Sequence, residues 1–288
     1  GKPSGAGDAA DASAEAKDPS GKRPLPPKAP PVDSSAMPLT EEERQRYVYR
    51  RIVEENMGVV KNIIKGQESL SDSTVFAAFN KHPEWKNMLV VMDWTGSMYI
   101  YGAQVVAWHE QHLAKGMLKY LVVFNDGDDN LKKSGVGPNR KADGKAGGIY
   151  FCEPKDLDQV LTTMHTAMLN GDGGDKPEND AEAILRALEE YPDAKQVVLI
   201  ADVELASSIR DVKLIRHIKV PVHIVACRAH QDRVIHPDYI TLAWRTGGSV
   251  MTGDLEYKFT KPMMKLEKPV LKINKVKYRF NEQRQYFE

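Results

Sequence analysis

Residues 87–93 read Asn87, Met88, Leu89, Val90, Val91, Met92, Asp93, and residues 196–202 read Gln196, Val197, Val198, Leu199, Ile200, Ala201, Asp202. Each is a short apolar run that ends on an acid. A run with no polar alternation has no face to give to water, so it reads as a strand covered on both sides, the pattern of a parallel sheet. Outward from these two runs, strand and helix patterns alternate. After the first come a helix over about 99–115, a strand from Leu118 to Phe124, a shorter strand from Gly148 to Cys152, and helices over about 155–169 and 179–190. After the second come a helix from Ser207 to His217, a strand from Val220 to Cys227, a helix from Asp238 to Trp244 and a strand from Ser249 to Met251. The alternation predicts an α/β fold: a doubly wound, mostly parallel open sheet flanked by helices.

The flanks differ in kind. Residues 1–38 are rich in Ala, Pro, Gly, Ser, Asp and Lys, hold no aromatic residue, and offer only Leu25, Val32 and Met37 as larger apolar side chains. Such a segment buries too little to offset its ordering entropy, and it reads as a disordered linker. It is either a tether to a membrane anchor or an upstream domain, or an end with no role. The tether reading, with a chain that opens on Gly1, points to an extracytoplasmic place, periplasm or cell surface; the cytoplasm is the alternative. Residues 39–86 read as a helical extension. Thr40 with Glu43 forms a capping box, Glu41 and Glu42 add acid to the helix start, and Tyr47, Ile52 and Val53 supply an apolar stripe. A second helix is predicted from Ser73 to Asn80, with Val75, Phe76 and Phe79 inward. The main domain is taken as 87–253. Residues 254–288 form a basic, β-rich addition in which Leu271 and Ile273, then Val276, Tyr278 and Phe280, alternate with polar residues; the change of phase reads as a bulged strand. That addition is a solvated extension or a patch for an acidic partner.

Composition excludes several classes. The chain of 288 residues balances 40 Lys+Arg against 40 Asp+Glu, so it lacks the basic excess of a dedicated nucleic-acid binder, and no nucleic-acid partner is expected. Its longest apolar runs are about five residues; a membrane-spanning helix needs roughly 20. Two cysteines exclude a disulfide-dense scaffold and a four-cysteine zinc site. Cys152 and Cys227 fall on separate predicted strands and are expected to be buried thiols. His109 and His112 stand three apart around Glu110 and Gln111, not in the four-residue spacing of zinc proteases.

Three acidic sites fall at strand ends or in nearby loops, where parallel sheets gather their ligands. Asp93, Thr95 and Ser97 alternate on the turn after the first run. Asp175 sits in the turn Gly173, Gly174, Asp175, Lys176, Pro177, Glu178. Asp202 ends the second run. Carboxylates and hydroxyls without a nearby Cys or His make a hard-oxygen set, suited to Mg²⁺, Mn²⁺ or Ca²⁺ rather than Zn²⁺ or Cu²⁺. The same residue types also serve as caps and turns. Trp94, Tyr99 and Tyr101 flank the first site as binding anchors or as core. Asp126 and Asp128 open a loop over about 126–147, either supporting a second ion or forming an acidic turn.

Four of these segments, in this order, resemble the von Willebrand factor A domain family with its metal-ion-dependent adhesion site. Asp93-x-Thr95-Gly96-Ser97 resembles its first motif, and 173–178 resembles the Gly-Gly-Asp-x-Pro-Glu loop of a bacterial branch. Leu199 to Asp202 stands where the family carries its later metal aspartate, and 242–248 resembles its closing Leu-Ala-x-x-Thr-Gly-Gly. The resemblance covers about 87–253. It implies a Rossmann-like sheet with a divalent cation on its top face, Mg²⁺ or alternatively Mn²⁺ or Ca²⁺. Thr95 or Ser97 hydroxyls would be ligands, Asp93 and Asp202 would bind directly or through water, and Asp175 would stand where the family often has Thr. The implied function is cation-dependent adhesion or assembly, capturing a carboxylate of a protein partner, with no catalytic residue. The alternatives are an intracellular assembly module working with an ATPase and a Mg²⁺-dependent phosphoryl-transfer enzyme. Phosphatases that use such an aspartate carry a second Asp two residues on, where Thr95 stands. No phosphate-binding Gly-x-x-x-x-Gly-Lys-Ser/Thr loop is present either.

Overall fold

The computed structural model describes residues 40–70, 72–112, 116–125, 148–171, 177–210, 212–229, 234–253, 255–273 and 275–288. The expected linker, Asp126, Asp128 and Asp175 lie outside them. Among the described residues no helix is long and apolar enough to cross a membrane.

The described elements are α1 (Glu41–Ile64), α2 (Thr74–Lys81), β1 (Met88–Asp93), α3 (Tyr99–His112), β2 (Leu118–Phe124), β3 (Ile149–Cys152), α4 (Leu157–Asn170), α5 (Asp180–Glu190), β4 (Val197–Asp202), β5 (Val222–Cys227), α6 (Pro237–Thr246), β6 (Ser249–Thr252), β7 (Leu255–Lys258), β8 (Val270–Ile273), β9 (Val276–Asn281) and β10 (Tyr286–Phe287). The main sheet has seven strands in the order β3-β2-β1-β4-β5-β6-β7. Its five inner strands are parallel, while β3 and β7 run antiparallel at the two edges. The chain is thus α/β, a mostly parallel mixed sheet flanked by helices. β1 and β4 have no exposed residue, as their unbroken apolar runs require.

Side-chain alternation divides the core into two halves, one on each sheet face. On one face Val90 and Met92 of β1, Val198 and Ile200 of β4 and Val225 of β5 meet α1 to α4. On the other, Leu89 and Val91, Val197 and Leu199, and Ile224 meet α5, α6 and the small sheet β10-β9-β8. Cys152 on β3 and Cys227 on β5 are buried free thiols with three strands between them, roughly 19 Å at the usual strand spacing and beyond any disulfide.

Three expectations change. The Thr40–Glu43 capping box forms, with the Thr40 N–H donating to Glu43 Oε2 (2.7 Å) and the Glu43 N–H to Thr40 Oγ1 (3.2 Å). The inward line of α1, however, is Val53, Met57, Val60 and Ile63, while Tyr47 and Ile52 are exposed. The helix expected from Ser207 to His217 is reduced to a 3₁₀ segment, Val212–His217. Ahead of it the backbone is used otherwise: Ile209 bridges to Glu178, the Glu178 N–H donates to Ser208 O (2.8 Å) and the Arg210 N–H to Glu178 O (2.6 Å). The bulged strand of the tail is instead a hairpin, β8 antiparallel to β9, in which Ile273 pairs with Val276. A change of alternation phase is the same whether one strand bulges or the chain reverses. β7 pairs with β6, so the main sheet continues past residue 253.

At the N-terminal edge of β5 and β6, His223 bonds Ser249 Oγ through Nδ1 (2.9 Å), with Trp85, His82, Glu84, Glu256 and Lys258 around it. Burial holds the His223 imidazole down, to about 4 from 6.5. It is therefore neutral in the folded chain and takes a proton only on unfolding. Stability from this group is complete above pH 6.5 and declines as the pH falls toward 4, by about 3 kcal/mol in all. Chemical denaturation at pH 7 and pH 4.5 should show this loss, reduced in His223→Gln; equal slopes with pH in both chains would refute it.

Candidate metal centre

The site follows from strand order. From β1 the chain moves to β2 on one side, and β4 lies on the other, so the order reverses between β1 and β4. Such a point leaves a crevice at the carboxyl ends of the strands. Met92 pairs with Ile200, which sets Asp93 and Asp202 at the same end of adjacent strands. The sequence therefore brings two acids together by ending two buried strands on them.

Asp93 is buried. Its Oδ1 accepts the Thr95 N–H (3.0 Å), a turn that directs residues 94–98 over the strand end. The Trp94 N–H meanwhile donates to Phe124 O (2.7 Å). Gly96–Met98 form a 3₁₀ turn that leads into α3. Thr95 is half-buried with its hydroxyl bonded to Asp93, and Ser97, two residues on in the same turn, is exposed. Trp94, Tyr99 and Tyr101 are core rather than surface anchors. Trp94 is fully buried and its Nε1–H donates to Met164 O (3.0 Å), and the Tyr101 hydroxyl donates to Asp72 Oδ2 (2.8 Å). Gly102 makes room for that indole, since a Cβ there would stand 2.2 Å from Trp94 Cζ3.

Asp202 accepts the Glu204 N–H at Oδ1 (3.1 Å) and faces Arg228 Nε at Oδ2 (3.1 Å). Arg228 takes a left-handed φ of 59° and lies between Asp202 and Glu204 Oε1 (3.4 Å). Burial pushes the Asp93 carboxyl up, to about 6. The Thr95 hydroxyl and N–H hold it down, and the charge of Asp202 pushes it up again. Asp93 is thus a buried acid beside a second acid, whose charge favours the proton unless a cation replaces it.

The acidic floor extends further than the five sequence-selected residues. Asp180 is fully buried and accepts the Tyr239 hydroxyl at Oδ2 (3.1 Å). Burial raises the Tyr239 phenol well above its ordinary value, and the charges of Asp180, Glu178 and Asp93 add to it. Glu178 and Asn179 are also buried at the start of α5. Asn179 has no hydrogen-bond partner for Oδ1 or Nδ2 among the described residues.

The structure therefore brings Asp93, Thr95 and Asp202 together, leaves Ser97 at the rim, and does not describe Asp175. Sequence reasoning quoted Glu178 only within the 173–178 turn and passed over Asp180, Tyr239 and Arg228. The acids of α5 have the pattern of a helix-start charge, which hid them, and Arg228 and Tyr239 arrive from distant parts of the chain. Among the described residues no three His, Cys, Asp or Glu side chains form a ligand cage. The donors present are carboxylates and hydroxyls, which fit an ion that keeps several waters, as Mg²⁺ does. Compared with known protein families, curated proteins and solved structures, the chain matches none.

Proposed function

We propose that the chain is a von Willebrand factor A-like binding module that holds a divalent cation at Asp93, Thr95, Ser97 and Asp202. Through that cation it captures a carboxylate of a protein partner. The observation that carries the reading is the buried pair Asp93 and Asp202 at the point where strand order reverses, with Asp93 raised to about 6 by burial and by its neighbour. A buried acid in this position is stabilised by a cation. Mg²⁺ is the first choice, with Mn²⁺ and Ca²⁺ as alternatives, because every donor is oxygen. Bound there, the ion would neutralise Asp93, share Asp202 with Arg228 and keep an open position for an incoming carboxylate. Thr95 and Ser97 supply the hydroxyls, Thr95 half-buried beside Asp93 and Ser97 exposed in the 3₁₀ turn that follows. We assign no catalytic step. Titration calorimetry tests the reading. One ion per wild-type chain is expected, with affinity largely lost in Asp202→Asn. A wild type without saturable binding of Mg²⁺, Mn²⁺ or Ca²⁺ would remove its basis.

A further inference from the structure

A second concavity lies at the opposite edge of the sheet. Val222 is the first residue of β5, and its N–H donates to Thr246 Oγ1 (3.2 Å) at the end of α6. Thr246 lines a cavity of about 320 Å³ at this N-terminal edge. That volume is at the small end of ligand sites. Ile215, Ile218 and Met263 give it apolar walls, and three basic residues, Arg216, Lys219 and Arg245, also line it, with no acid among the lining residues.

Helix ends favour one nearby cation, which accounts for a basic residue after each helix. They do not account for three basic residues lining one hollow with no acid among the described lining residues. Among the described residues, no ion pair reaches Arg216, Lys219 or Arg245. Lys219 folds back, its Nζ donating to Arg216 O (2.6 Å), and the Arg216 Nε–H donates to His217 Nε2 (3.0 Å). Arg245 is the most constrained. A terminal guanidinium nitrogen donates to Gln285 O (3.1 Å), and its Cζ stands 5.9 Å from the Trp244 ring and 5.6 Å from the Tyr286 ring. A guanidinium has five N–H donors. Here one hydrogen bond and two rings hold the group and limit its motion. Such a fork matches phosphate oxygens, and fixing it in advance removes part of the ordering cost of binding. At the rim, Met263 holds a left-handed φ of 47°, a conformation costly for a side chain of its kind.

We infer that this cavity binds a small phosphate monoester whose organic part is compact and apolar. The phosphate lies between Arg216, Lys219 and Arg245, and the apolar part lies against Ile215, Ile218 and Met263. The site shares no residue with the cation centre and does not depend on it.

The test is titration calorimetry with phenyl phosphate, with inorganic phosphate as comparison and NaCl matching the ionic strength. Phenyl phosphate is expected to bind one site per chain, and more tightly than inorganic phosphate. Arg216→Gln/Lys219→Gln changes two exposed side chains and should leave thermal stability unchanged while weakening binding by about tenfold or more, the worth of one charge-assisted hydrogen bond. Arg245→Gln should weaken it at least as much, and Asp93→Asn should leave it intact. No saturable binding by the wild type, equal affinity in the double variant, or equal affinity for the two phosphates would overturn the inference.

Discussion

Asp93→Asn is expected to be more stable than the wild type in chelator at pH 8, and saturating Mg²⁺ is expected to close most of that gap by stabilising the wild type alone. Asparagine keeps the oxygen that accepts the Thr95 N–H, so the turn at 94–98 survives. It removes the charge that burial and Asp202 both oppose. The sign follows from the raised folded-state value. A carboxyl near 6 in the folded chain and 3.8 when unfolded binds its proton more tightly when folded. Its contribution is complete below pH 3.8 and is lost as the pH rises through about 6, so the chelated wild type should lose stability relative to Asp93→Asn across that window. A cation that binds only the folded wild type restores RT ln(1 + [L]/Kd), about 2.7 kcal/mol at a hundredfold excess over Kd. In a chain of this size that is a rise of roughly 5–10 °C in Tm. Thermal unfolding at pH 5 and pH 8, with chelator and with MgCl₂, resolves both effects. An equal Mg²⁺ shift in the two chains would exclude Asp93 as a ligand, and a chelated wild type whose stability changes with pH as that of Asp93→Asn does would exclude the buried charge.

Gly248→Ala should cost about 3 kcal/mol or more, at the top of the range for overpacking. Its new Cβ would stand 1.8 Å from Val222 O and 2.4 Å from Val222 C. These are backbone atoms of a strand whose neighbour is already fixed, since Val222 pairs with Val197 of β4. The conflict has no side-chain escape. The preceding residue has a different reason to be glycine. Gly247 takes a φ of 73° at the end of α6, where its N–H reaches Trp244 O (3.4 Å) and the Gly248 N–H reaches Ala243 O (2.9 Å). The left-handed residue closes the helix, and the second glycine lets β6 approach β5. Urea denaturation reads the loss directly; a midpoint within 1 kcal/mol of wild type would show that β6 can shift without breaking the sheet.

The two strands that decide the fold were legible because a residue covered on both faces must be apolar at every position, and β1 and β4 are. The helix over 207–217 was not. Ile209, Val212 and Ile215 have helical spacing, but the backbone at 208–210 pairs with Glu178, a partner about thirty residues away that local periodicity cannot reveal. In the tail, Tyr278 and Ile273 are buried on one face of the small sheet as their alternation requires, yet alternation alone does not separate one bulged strand from two. The same division holds in the crevice. Asp93 and Thr95 could be read from a six-residue window, and Asp202 from the strand it ends. Arg228 and Tyr239 enter through folding alone, and neither belongs to a local pattern that marks it as part of an acidic site.

The two halves of the core are completed at different times during synthesis. The face under α1 to α4 is built largely from residues that leave the ribosome early. The opposite face needs Ile273, Tyr278 and finally Phe287, whose N–H donates to Thr241 Oγ1 (3.1 Å) and whose ring stands 6.1 Å from that of Trp244. Until Phe287 has emerged, α6 presents an uncovered aromatic surface to its surroundings. A growing chain with an open apolar face is prone to association, so the segment from Ile273 to Phe287 acts as a closing plate, and a stall in translation between Thr252 and Phe287 leaves a sheet with one face finished and the other unsealed.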